Sequence, residues 1–351
     1  MFTDVVKKPL FEVFKRQKKV ADVGIEIEIE GAGLPESVSH WSAKSEGSLQ
    51  QGLEYITKPI KAENVKQYVD HLKAVLGGYT VKNTYRCSTH IHVNMLPEAV
   101  EDILGYYVVF SMFEPLLLSL CGNQRDGNLF CMSSYDTGDL TDSFDQMCRA
   151  FEMIDQYGFG YERGKYSSLN SGRLADLGTL EARCFPMSLD GTQVADWVGW
   201  LLRMRDMVRA EPDKTFRSLW KNVRQNPTWY ANIIFGQAIY TIPNHVSLVD
   251  FGTECAYELT KVLKKYRNKT AEEAPQKKDR PKKGLGSINT LSAAAINDLY
   301  ASMAAPTVSG SGGGSFFTSS SGSWATAVPV SAPAAWPSDL PQPIDDVESQ
   351  F

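Results

Sequence analysis

Between residues 20 and 190 the chain is punctuated by short runs in which apolar and polar side chains alternate. In Val23-Gly24-Ile25-Glu26-Ile27-Glu28-Ile29-Glu30-Gly31, the three isoleucines fall on one face of a strand and Glu26, Glu28 and Glu30 on the other. Residues 52–59 read as a second strand carrying Glu54, rich in aromatic and β-branched residues and closed by Pro59. Residues 88–95 give a third, in which His90, His92 and Asn94 share a face while Ile91 and Val93 point into a core. A fourth, 178–186, puts Thr179, Glu181 and Arg183 on one side. Helical spacing takes over at Val65, Tyr68, Val69, Leu72, Val75 and Leu76, stopped by Gly77-Gly78, and again at Val194, Trp197, Val198, Leu201, Met204 and Val208.

One further run, 103–121, is apolar throughout. Glu98, Glu101 and Asp102 suit the positive end of a helix dipole and Gly122 supplies a stop, so it reads as a buried helix. Glu114-Pro115 interrupts it and leaves pieces well short of the roughly 20 residues a bilayer demands, so no membrane span is expected.

These elements predict an α+β fold: one sheet with a helical layer behind it and a polar front. The polar positions are unusual in kind. Same-face neighbours along a strand lie about 6.8 Å apart, so carboxylates from several strands can converge on bound cations. A single Ile/Glu alternation is ordinarily a strand with a wet face, His-x-His alone is a weak metal signal, and Arg two residues after Glu is commonly an ion pair. Four such strands in succession, all with functional side chains on one parity, point to a common site.

Beyond residue 260 the chain changes character. A Lys/Arg-rich run over 261–283 begins inside an amphipathic pattern (Leu259, Val262, Leu263, Tyr266) and ends in a Pro/Lys linker. Ile288, Leu291, Ile296, Leu299 and Met303 suggest one short helix; Gly/Ser-rich and then Pro/Ala-rich sequence with Asp339, Asp345, Asp346 and Glu348 reads as a disordered acidic tail. The expected organisation is a basic N-terminal segment over 1–20, a catalytic domain over 21–270, and linker and tail over 271–351.

The 351 residues carry 36 basic and 41 acidic side chains, a formal charge of −5, too near neutral to predict a nucleic-acid or anionic-membrane partner. The six cysteines form no C-x-x-C pair, which argues against a zinc ribbon or a thioredoxin-like site and for reduced thiols in a cytoplasmic protein. The basic N-terminus lacks the apolar stretch of a signal peptide.

Gly24-Ile25-Glu26-Ile27-Glu28 is followed by Trp41 through Glu46-Gly47-Ser48-Leu49 to Glu54, then by Thr89-His90-Ile91-His92-Val93 and Asn123-Gln124-Arg125. Last comes Tyr166-Ser167-Ser168-Leu169-Asn170, leading to Gly178-Thr179-Leu180-Glu181-Ala182-Arg183. In that order these stretches resemble the amidoligase family, ATP-dependent carboxylate–amine ligases related in fold to glutamine synthetase and glutamate–cysteine ligase. The chain departs from the family pattern at Glu46, where relatives tend to have Asp, and at Cys87-Ser88, where Cys-Gly is common.

The resemblance implies a curved, mainly antiparallel sheet of about six strands with helices packed on one face, and an amide bond formed between a carboxylate (amino acid, peptide or protein side chain) and an amine through an acyl phosphate. It assigns Glu26, Glu28, Glu54, His90 and Glu181 to Mg²⁺ or Mn²⁺, and His92, Asn170 and Arg183 to the side of the bound ATP. Arg183 and Arg125 become candidates to neutralise the transferring phosphoryl group, and Glu46 and Glu30 candidates for the base. Members of the family occur in bacteria and their viruses, so a virus-encoded copy would work in the host cytoplasm. Two rival readings stay open. One is a metal-dependent hydrolase using His90, His92 and a glutamate; the other is a non-catalytic interaction protein that keeps the fold while its tail binds a protein partner.

Overall fold

The alternating segments fold as read: β1 (Val23–Glu30), β4 (Gly52–Thr57), β5 (Ser88–Asn94) and β7 (Thr179–Pro186) are joined by the shorter β2 (Ser37–Val38), β3 (Trp41–Lys44) and β6 (Leu169–Asn170). In this computed structural model the described residues are 2–268, apart from Lys19, Asn123, Gln124, Asp126, Gly127, Phe130, 136–139 and 160–165. The expected linker, short helix and tail over 271–351 lie outside them, as do Asn123 and Gln124.

The strands form one open seven-stranded sheet in the order β2-β3-β4-β1-β5-β7-β6, and every neighbouring pair is antiparallel. The α+β expectation stands, with seven strands where about six were expected. Ile25, Ile27, Ile29, Ile91, Val93, Leu180 and Ala182 are fully buried on the back of the sheet. Each of the larger of these contributes about 1.5–3 kcal/mol by leaving water, and a one-residue slip of register would turn the whole set outward.

The longer helices are α1 (Val65–Leu76), α2 (Val100–Cys121), α3 (Leu140–Glu152), α4 (Gly191–Ala210), α5 (Arg217–Gln225), α6 (Pro227–Phe235) and α7 (His245–Arg267). On the back, α2 contacts β7, α4 contacts β5, and α1 packs on α4. Asp190 caps α4 by accepting from the backbone N–H groups of Thr192 and Gln193 at 2.9 and 3.1 Å. Phe185 of β7 stacks on Trp197 of α4 with ring centroids 4.8 Å apart. Behind α2 runs α7, so close that a Cβ on Gly252 would lie 2.3 Å from the carbonyl oxygen of Met112.

Helix α2 is the buried helix read from the sequence, ending at Cys121 before Gly122, with Pro115 inside it. It is long and apolar enough to cross a membrane, yet 89% of its most apolar window is buried within the protein. That burial on all sides, by the sheet, α4 and α7, offsets the backbone bond a proline removes. Its buried Glu114 accepts from the backbone N–H of Ser134 at 2.8 Å and from the hydroxyl of Ser168, fixing the segment that enters β6. At the N-terminus, Val5, Val6 and Leu10 belong to the same core, and the Leu10 N–H donates to the Glu98 carbonyl at 2.8 Å.

The ladder between β5 and β7 is irregular at one point. Thr89 pairs with Phe185 and Ile91 with Ala182, so His90 stands opposite two residues, Arg183 and Cys184. This β-bulge changes the phase of β7, keeping Glu181 and Arg183 on the front while Phe185 turns back to Trp197.

Candidate active site

Three cross-strand rows build the front of the sheet. Lys44, Glu54 and Glu28 lie side by side across β3, β4 and β1. The next row holds Ile56, Glu26 and His90. The third holds Gly24, His92, Glu181 and Asn170. Sequence parity placed Glu26, Glu28, Glu54, His90, His92 and Glu181 on one face, and strand order brings them together.

His90 is the hub. Its Nδ1 lies 3.3 Å from Glu26 Oε2 and 3.4 Å from Glu181 Oε1; its Nε2 lies 2.7 Å from Ser88 Oγ and 3.6 Å from Glu28 Oε2. The Ser88 hydroxyl in turn donates to Glu28. His92 turns Nε2 to Glu26 Oε1 at 3.1 Å and Nδ1 to the Thr179 hydroxyl at 3.1 Å. Glu181 accepts from Arg183 and, at 2.7 Å, from Asn170 Nδ2.

The electrostatics follow from crowding charge where water is scarce. Burial works to raise the Glu26 pKa, but hydrogen bonds to His90 and His92 and the charge of both rings hold it far below the usual range. Glu181 is likewise held low: burial opposes, while His90 and Arg183 prevail. Burial lowers His92, and Glu26 and Glu181 more than reverse it. Glu54 is the exception, pushed up to about 8 by burial and by the charge of Glu26, against the pull of Lys44.

Such a constellation suits a divalent cation. Glu26, His90 and Glu181 can bring one donor atom each within 4.8 Å of one another, and so can Glu28, Glu54 and His90. Hard oxygen donors with one imidazole fit Mg²⁺ or Mn²⁺. A neutral imidazole has one lone pair, so His90 can ligate on one side only and donates its N–H on the other.

The remaining candidates lie apart from this group. Arg125 is buried behind the front, its guanidinium donating to the Arg183 carbonyl oxygen at 2.5 Å and so bracing the bulge from within. Glu30, at the far end of β1, accepts from the Gln50 N–H at 2.9 Å and holds the loop before β4. Glu46 is half-buried in the same loop, close enough to Lys44 to help raise its pKa, which burial alone would lower. Sequence reasoning passed over Lys44, whose Nζ sits 2.7 Å from Glu54 Oε2, and Ser88. Both share the parity of the acidic row: Ser88 opens β5, two residues before His90, whereas four-residue β3 is too short to announce Lys44.

Beside Glu26 and His92 the front opens into a pocket of about 220 Å³, lined also by Gly24, Ile56, Pro59 and Leu177.

Residues 39–205 match the model of a family described as "Putative amidoligase enzyme". No curated protein matches the chain.

Proposed function

Because residues 39–205 are of the amidoligase family, we propose that the protein joins a carboxylate to an amine at the expense of ATP, through an acyl phosphate. The observation that carries this reading is the pair of donor groups, Glu26–His90–Glu181 and Glu28–Glu54–His90, on one sheet face.

A carboxylate is a poor electrophile and its oxygen a poor leaving group; phosphorylation by ATP remedies both, after which the amine displaces phosphate. Bound divalent cations would screen the triphosphate and polarise the transferred phosphoryl group. The chain's own part is placement. Glu26, Glu181, Glu28 and Glu54 would hold the cations, and His90 would bind one of them while its other nitrogen keeps Ser88 or a carboxylate in line. Arg183, anchored on Glu181 and braced through its carbonyl by Arg125, presents a planar guanidinium to the developing oxyanion. Asn170 orients Glu181, and His92 would contact the nucleotide. Glu30 and Glu46 are the candidates for accepting the amine proton, Glu46 being the less committed of the two. The acidic tail is the segment proposed for contact with a protein partner.

The test is phosphate release from ATP with Mg²⁺ against a panel of amines and acids, with mass spectrometry of the product. Amine-dependent turnover that Glu181→Gln abolishes is expected. Turnover by Glu181→Gln at the parent rate would overturn the reading, and stoichiometric tightly held zinc in the purified protein would favour a hydrolase instead.

A further inference from the structure

Gly24 faces the front of β1 opposite His92, and nothing in its surroundings demands a glycine. Its φ lies outside the left-handed region, and a Cβ there would meet, within 4 Å, only the His92 Cβ, at an ordinary 3.6 Å. Glycine inside a strand weakens it and marks either a bulge or the close approach of another backbone or a ligand. The β5 ladder is regular at this position; on the β4 side the register shifts by one between Glu26–Ile56 and Val23–Ile60, but the extra residue lies within 57–59 and not in β1, and no backbone comes within 4 Å of where the Cβ would stand. What the missing side chain leaves is the pocket of about 220 Å³ between Ile56, Pro59 and Leu177, with Glu26 and His92 on its rim.

The polar groups around this recess are already engaged. The Thr57 hydroxyl accepts from the Ile25 N–H at 2.9 Å. The Asn94 amide donates to the Ala21 carbonyl at 2.7 Å and accepts from the Leu96 N–H at 3.1 Å. Nδ1 of His92 faces Thr179. A purine ring would leave its hydrogen-bonding edge unmet there, whereas an alkyl group loses nothing. Gly24 also lies about 6.8 Å along the strand from Glu26, so a substituent a few carbons from an atom held at Glu26, His90 and Glu181 reaches the recess.

We infer that the Gly24 recess binds an apolar substituent of about three to five carbons carried next to the reacting carboxylate or amine, and that it selects the substrate by that group. Calling the ligand a substrate rests on the ligase reading; the recess and its preference do not.

The experiment uses the full chain with Mg²⁺ and without ATP. Saturation-transfer NMR compares isobutyrate with acetate and isobutylamine with methylamine. Wild type is expected to favour an isobutyl probe about tenfold over its methyl counterpart. A preference confined to the acids assigns the substituent to the carboxylate partner, and one confined to the amines assigns it to the amine. Gly24→Val should abolish the preference, and Gly24→Ala, which the geometry admits without strain, should reduce it, while Mn²⁺ binding followed by electron paramagnetic resonance stays unchanged in both. Equal binding of methyl and isobutyl probes by wild type would overturn the inference. So would a Gly24→Ala protein that keeps the full preference but loses affinity for adenosine, which would give the recess to the nucleotide base. An isobutyl preference in a protein that shows no amine-dependent ATP turnover would sink the ligase and leave the recess standing.

Discussion

The Lys44 ammonium lies 2.7 Å from a carboxyl oxygen of Glu54, reaching it from the neighbouring strand across a directly paired position. A divalent cation held by Glu28, Glu54 and His90 would compete with that ammonium for the same oxygen. Lys44→Met is therefore expected to lower the melting temperature of the metal-free protein slightly, by a degree or two, and to enlarge the gain on adding Mg²⁺. Thermal melts with and without Mg²⁺ read both; an unchanged increment would mean that ammonium and cation do not share Glu54.

The same carboxyl group predicts the pH dependence of stability. Burial and Glu26 raise Glu54 from 4.5 to about 8, so the folded state keeps a proton that the unfolded chain loses, and stability falls as pH rises between those values. His92 acts in the same direction: raised above 6.5 by Glu26 and Glu181 despite burial, its contribution is complete below that pH and is lost as pH climbs through the folded value. Glu26 and Glu181, held low, contribute a constant amount across this window. The metal-free melting temperature should decline steadily from about pH 5 to about pH 8, and Glu54→Gln should flatten the decline. A profile for Glu54→Gln parallel to the parent's would refute the assignment.

Arg183 is joined to Glu181 by side chain and to Arg125 through its carbonyl oxygen. Arg183→Lys keeps the charge but loses the planar fork, so kcat should drop roughly 10- to 100-fold with a smaller change in the KM for ATP. Steady-state kinetics separates the two, and a change confined to KM would make Arg183 a binding residue alone.

Gly252 tests the scaffold without touching the front. A Cβ there would overlap the backbone of Met112, so Gly252→Ala should destabilise by about 1–3 kcal/mol as α7 is forced off α2. Urea unfolding measures this, and Mg²⁺ affinity should stay at the parent value. An alanine protein as stable as the parent would show that the two helices part freely.

The sheet was legible wherever burial imposed a period of two. Ile25, Ile27, Ile29, Ile91 and Val93 announced the back, and the same arithmetic put Glu26, Glu28, Glu54, His90, His92 and Glu181 on the front. Strand order was not legible, because pairing β1 between β4 and β5, and β5 beside β7, depends on contacts distant in sequence. Strands β2 and β6, two residues each, are too short to carry a pattern. Helix α2 was legible as a buried helix because its apolar run ends at Gly122, and Pro115 is tolerated inside it by the packing that surrounds it. Arg125 sits in a loop whose sequence gives no hint that its side chain runs inward; only the fold puts it under the bulge.

The extra residue in β7 makes this strand tolerant of shortening at a single place. Removing Cys184 would leave Arg183 opposite His90 and Phe185 opposite Thr89, an unbroken ladder with both halves in their present phase. A deletion at Leu180 has no such slack and would swing the strand's outer end through half a turn, carrying the Thr179 hydroxyl away from the His92 ring. Insertions and deletions introduced along this strand should thus survive only at the bulge.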